Sequence, residues 1–333
     1  MKRNTKFQKF RISLFLLIPI AILLFTAVSL SSEILSSRDL VITFHKDERK
    51  VAEKILSQFS EIVESVNREV GFYPDSSFAA LSILRSTTKD ERRTDISGKV
   101  KLILCHNKKD FKEYILKFRN LPENSEAFAV SQKALIIIRN PRDMQINTDF
   151  FRVLTHEYNH ILLHTIAADV NIPLWFDEGF AQYFAKQWDI RREFIFVRNG
   201  IIGNLLDLNV YNNRYPEFQD RVEIFYLQSY YTIKYLINRF SKEKFQDFLD
   251  ALQTSKDFDR TFFDIFEISL YRFIVDARKS IKTHTILTIF YSGFGLLWTI
   301  IPILVLIAYV RKKMLGKKVE EIWDREEESD DNL

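Results

Sequence analysis

Apolar residues along this chain recur at two spacings, every second position and every third to fourth, and the switches between them predict its elements. Val41 to Phe44 reads as a short strand, and Asp47 to Val70 as an amphipathic helix stopped by Gly71. Ser76 to Leu84 is a further strand candidate, followed by a polar, charged loop from Thr87 to Gly98. Val100 to Cys105 is a strand and Lys109 to Phe118 a helix. Ala127 to Val130 and Ala134 to Ile138 flank Ser131, Gln132 and Lys133 as a β-hairpin. From Phe150 to Leu163 the helical spacing returns with no proline, and a second helical segment starts at Leu174. Pro173 stands just ahead of it, where a fixed φ suits a helix start. Glu223 to Phe240, Lys242 to Leu252 and Thr261 to Ala277 complete the helices, with no internal repeat and no low-complexity linker.

Two blocks break this pattern because they carry no charge at all. Ile12 to Ser32 follows Lys2, Arg3, Lys6, Lys9 and Arg11, and its length suits a signal peptide or a transmembrane anchor. The poor cleavage site at Ala27 to Ser29 favours a retained anchor. Thr283 to Val310 is the second, ending in Arg311, Lys312 and Lys313, and reads as a transmembrane helix. Basic flanks stay in the cytoplasm, so both termini are expected there and the middle outside it. The expected divisions are a basic N-terminus over 1–11, the anchor over 12–32, an extracytoplasmic domain over 33–282, a span over 283–310 and a basic then acidic tail over 311–333. Some 250 residues between the anchors suffice for one large domain or two small ones.

Charge then changes little. The net +4 is +5 over residues 1–11, −2 over 311–333 and near +1 between them, and no basic strip with interleaved aromatics points to nucleic acid, so nucleic-acid binding is not expected. Cys105 is the only cysteine, which excludes an intramolecular disulfide; its apolar surroundings in sequence make it a buried small hydrophobe rather than a nucleophile. A domain outside the cytoplasm with neither disulfide nor N-glycosylation sequon fits a bacterial envelope, the inner membrane being the expected place.

The chemistry concentrates in His156-Glu157-Tyr158-Asn159-His160. Residues four apart share a helix face, so His156 and His160 can aim both imidazoles at one ion, with Glu157 beside them as a base. Such a pentapeptide arises by accident in roughly one chain in a hundred of this length, so the flanks decide its weight. They supply a helix without breakers and, downstream, Trp175-Phe176-Asp177-Glu178-Gly179-Phe180-Ala181. An acid buried in that apolar segment is costly unless a cation pairs with it, which makes Glu178 the candidate third ligand of a zinc ion. His164 lies about 12 Å along the axis from His156, too far to share that ion. It reads as an outer partner or a satisfied histidine, and Asp177 as a cap or outer partner. Gln182, one turn after Glu178, is a candidate to orient a ligand imidazole.

The pairing of H-E-x-x-H with W-x-x-E-G-x-A resembles the gluzincin metallopeptidases of the thermolysin and aminopeptidase group, and more narrowly the bacterial membrane-associated peptidase-MA-like proteins. A third, weaker match runs from Phe225 through Ser229 to Tyr235 and Leu236, and the likeness spans about 40 to 255. The resemblance implies an α+β fold, a small mixed sheet over the H-E-x-x-H helix followed by a helical subdomain, here flanked by the two apolar spans. It implies one Zn2+ on His156, His160 and Glu178, Glu157 activating a zinc-bound water, and a tyrosine hydroxyl for the oxyanion. Tyr226 matches that tyrosine, with Tyr230 and Tyr231 as competitors. It implies further that the hairpin from Phe128 to Ile138 holds extended substrate by strand addition. The aminopeptidase G-x-M-E-N segment is absent, which points to an endopeptidase or oligopeptidase.

The expected function is therefore a membrane-anchored zinc metallopeptidase acting on a peptide or envelope protein, with the bilayer as its other partner. The alternatives are a non-catalytic envelope module that keeps the fold for binding or assembly, and a zinc hydrolase of non-peptide bonds. The intact Glu157 argues against the first, since a structural zinc needs no base. Oligomeric state and cleavage preference leave no mark in the sequence.

Overall fold

The computed structural model describes residues 32–72, 99–118, 125–146, 148–167 and 170–330, with backbone alone for 289–299 and 319–330. Five strands form one sheet: β1 (Ser32–Ser36), β2 (Leu40–His45), β3 (Val100–Cys105), β4 (Ala127–Val130) and β5 (Leu135–Arg139). Their order is β1-β2-β3-β5-β4, with parallel pairing among β2, β3 and β5 and an antiparallel strand at each edge. Alternation sends Leu40, Ile42 and Phe44 to one face together with Val100, Leu102, Leu104, Ile136 and Ile138, all buried. Two helices, α1 (Arg49–Val70) and α3 (Phe150–Ile166), cover that face. The opposite face is closed by α2 (Lys108–Phe118), whose Phe111 and Ile115 meet Cys105, Phe128 and Ile137. Burial there pushes the Cys105 thiol up to about 12.

The second half is helical: α4 (Leu174–Phe184), α5 (Ile190–Ile201), α6 (Gln219–Phe240), α7 (Lys242–Leu252), α8 (Phe258–Phe266) and α9 (Leu270–Asp330). Phe176 anchors it, its ring 6.3, 5.8 and 5.0 Å from those of Phe245, Phe248 and Phe258. Gly179 sets how closely α4 approaches α6, because a Cβ there would lie 2.4 Å from the Ser229 carbonyl oxygen. The glycine that follows Glu178 thus lets the helix bearing that acid sit against its neighbour. The molecule is a mixed α+β protein, helix-rich with a small mixed sheet.

Most predicted elements appear within a residue or two of their expected limits, and α1 ends as expected at Gly71, which adopts φ 80°. Several expectations need correction. The helix expected over Thr261 to Ala277 is two, α8 and α9, separated where Glu267 takes a left-handed φ of 57°. β1 and α5 are elements the pattern did not predict. The strand expected over Ser76 to Leu84, the loop from Thr87 to Gly98 and the apolar run through 31 lie outside the described residues. The first expected membrane span thus goes untested, and among the described residues no helix is long and apolar enough to cross a membrane. The second run lies on α9, within which Pro302 sits and Ile300 to Val310 expose most of their apolar side chains.

Candidate active site

Asp149 starts α3 by accepting a hydrogen bond from the Arg152 N–H at 3.2 Å, a cap that contributes about 1 kcal/mol. The helix then presents two faces. Tyr158, fully buried, donates its hydroxyl to Asn67 of α1 at 3.0 Å and meets Phe59 edge-on. Asn159, also buried, donates to the Ala181 carbonyl of α4 at 3.0 Å. The two middle residues of H-E-x-x-H therefore lock α3 to the elements around it, and the remaining three turn to a cleft.

In that cleft His156 Nε2 and His160 Nε2 stand 3.1 Å apart. Glu178 Oε2, brought by α4, lies 3.6 Å from the first and 3.8 Å from the second. This oxygen is buried and has no hydrogen-bond partner. One proton can satisfy only one of these three contacts, whereas a cation between them satisfies all. Tetrahedral ligands about 2.0–2.1 Å from zinc lie roughly 3.3–3.4 Å from each other, so the observed spacings bracket those of a zinc site. Two imidazoles and a carboxylate are also the donor set of a catalytic zinc, and the residues fit the ion.

Asp177 supplies the outer partner. Its carboxylate reaches His160 Nδ1 at 2.6 Å and His164 Nε2 at 2.9 Å. Burial opposes its charge, but the two imidazoles outweigh that and hold it well below the usual carboxylate range. For His160 burial likewise opposes charge, yet the neighbouring carboxylate raises its pKa to about 10. The Asp177 contact keeps a proton on Nδ1, so Nε2 is the His160 nitrogen that faces the cleft and would exchange its own proton for an ion. Asp177 and His164 thus take the outer roles open to them. Gln182 does not: it donates to the Glu178 and Tyr226 carbonyls and accepts from Arg192, leaving no contact with a ligand imidazole.

Glu157 is buried, and desolvation raises its pKa against the opposing pull of His156 and His160. It also accepts the backbone N–H of Ala129, on the edge strand β4. The β4–β5 register explains why that group is free. Arg139 donates to the Glu126 carbonyl at 3.0 Å, so Phe128 and Val130 are the β4 residues bonded to β5. Ala127 and Ala129 turn their N–H and C=O groups outward to the cleft, a space of about 220 Å³ that they line with the histidines.

Tyr215 and Tyr226 close the same cleft, their ring centroids 6.1 Å apart. The Tyr215 hydroxyl donates to Glu178 Oε1. Both tyrosines are driven well above their usual pKa, first by burial and then by the Glu178 charge, so both remain neutral donors. Of the competitors, Tyr230 stacks on Trp188 at 4.4 Å and Tyr231 lies 3.3 Å from Ser280; neither lines the cleft. No sequence signal marks Tyr215, which lies in a turn-rich stretch without periodicity, between Asn212 and Pro216.

Residues 100–282 match the family model described as the peptidase MA superfamily, a stretch that contains every residue of this cleft named above. No curated protein matches the chain.

Proposed function

The chain belongs to the peptidase MA superfamily, and from that premise we propose that it is a zinc-dependent metallopeptidase cleaving peptide bonds within extended chains. The observation that supports this most strongly is the convergence of two imidazole nitrogens and an unpartnered carboxylate oxygen beside a buried glutamate. His156, His160 and Glu178 would hold the ion. When bound, zinc supplies Lewis acidity, lowering the pKa of water toward about 7 and polarising a carbonyl oxygen.

The chain's own groups do the rest. The outward N–H and C=O of Ala127 and the Ala129 carbonyl bind substrate backbone by strand addition, laying a peptide across the cleft. Glu157 takes a proton from the attacking water as the C–O bond forms, then delivers it to the amide nitrogen as the C–N bond breaks. Its raised pKa favours that proton uptake. Tyr226 donates its hydroxyl to the oxygen where negative charge develops. Tyr215 steadies Glu178, and Asp177 fixes His160.

We propose in addition a membrane tether, with the catalytic domain outside the cytoplasm, both termini inside it and a peptide or envelope protein as substrate. The tether is supported by the uncharged run from Thr283 to Val310 before Arg311, Lys312 and Lys313, and by the exposed apolar residues of α9. The test is zinc content and hydrolysis of a quenched peptide mixture by the purified full chain, beside His156→Ala and Glu178→Ala. Loss of both properties in both variants is the expected result. A well-folded wild type without hydrolysis would favour a binding module.

A further inference from the structure

A second group of metal-ligating side chains gathers where the parallel strands end. Pairing of β2 with β3 sets Thr43 level with Ile103, so the residues that leave the two strands, His45 and His106, emerge side by side. Their ring centroids are 4.3 Å apart. Asp47, in the turn after β2, places Oδ2 3.1 Å from His45 Nδ1. Each of the three offers a ligand atom, and these atoms all lie within 4.8 Å of one another.

Two details go beyond crowding. Glu48 is buried and reaches His106 Nδ1 at 2.9 Å, with Arg142 Nη2 3.3 Å from the same nitrogen; a proton on Nδ1 directed at Glu48 leaves the Nε2 lone pair available. This repeats at His106 what Asp177 does for His160. Arg142, 2.7 Å from the same Glu48 oxygen, balances that carboxylate, whereas Asp47 pairs, among the described residues, with His45. His45 Nδ1 lies 3.1 Å from the Asp47 carboxylate and receives the Asp47 backbone N–H at the long distance of 3.4 Å, a weak contact that an ion at Nδ1 would displace. Two acceptors at that spacing repel unless a proton or a metal ion lies between them.

We propose that His45, Asp47 and His106 form a second metal site, for a divalent transition ion of the zinc class. Two imidazoles select against magnesium, which takes oxygen ligands. Side-chain exposures of 24% for His45, 60% for Asp47 and 33% for His106 make it an open, exchangeable site, and Asp47 is free to swing onto an ion. A bound ion fastens the ends of β2 and β3 to the start of α1. His45 and Asp47 precede residue 100 and so lie outside the stretch that matches the family.

Equilibrium dialysis of the full chain against micromolar Zn2+, with Mg2+ in excess, tests the site by counting bound zinc. His106→Ala and Asp47→Asn are each expected to hold one equivalent less than wild type, whatever the active site holds, with peptide hydrolysis unchanged. Asp47→Asn alters only an exposed side chain, which separates lost ligation from lost folding. Wild-type zinc content in both variants would overturn the site and assign the cluster to a proton-bridged His45–Asp47 pair.

Discussion

The two clusters hold similar ligands in different settings. At each, a carboxylate behind the ligands fixes the proton of an imidazole: Asp177 on His160, Glu48 on His106. At the first, all three ligands sit on helices packed into the core, and the Glu178 side chain is 6% exposed. At the second, they sit on strand ends and turns, with Asp47 60% exposed. Ligand type therefore sets which ion is held, whereas burial and neighbours set the use made of it. Among the described residues, two neutral tyrosines and an outward strand edge surround the first cluster alone, and its buried Glu157 has no arginine partner like the one Glu48 has in Arg142. In the roles proposed for them, one site does chemistry and the other fastens.

The sharpest contrast concerns the oxyanion donor. Tyr226→Phe should lower kcat by about 10²–10³, with KM and zinc content nearly unchanged, as steady-state kinetics would show. An unchanged kcat would move the role to Tyr215 or remove it. Next in size is the outer carboxylate. Asp177→Asn should weaken zinc at the active site about 10–100-fold, and Glu48→Gln should do the same at the second cluster only. Competition titrations with a zinc indicator read both, and a common loss at both sites would break the claim that they are separate. The smallest effect concerns Cys105, which neighbours His106 in sequence but packs among Phe111, Phe128 and Ile137 behind the sheet. Iodoacetamide should leave it unmodified in the folded protein, and Cys105→Ala should retain full zinc content. Rapid alkylation would show that α2 does not seal that face.

Legibility in the sequence divides along the same line. His156, Glu157 and His160 could be read because one helical turn brings them together, and covalent spacing alone fixes that. Glu178 could be read because an acid amid Trp175, Phe176 and Phe180 needs a cation. The sheet order could not, because nothing local tells β5 to insert between β3 and β4. For the same reason the approach of His45 to His106 is a product of strand register and leaves no local signal. The break at Glu267 was invisible because the residue in the left-handed conformation is neither glycine nor asparagine. The role of Gln182 is not legible, because spacing alone does not show that Arg192 and two carbonyls occupy its amide.

Catalysis as proposed depends on Glu157 acting as the base beside a zinc that it does not hold. Glu157→Gln keeps the size of the side chain and its contact with the Ala129 strand while removing the carboxylate. The decisive measurement is zinc content and hydrolysis of a quenched peptide mixture in this variant and in wild type, side by side. Full zinc with hydrolysis reduced by about 10²–10⁴ is the predicted result. Hydrolysis at the wild-type rate in a zinc-loaded Glu157→Gln protein would contradict it.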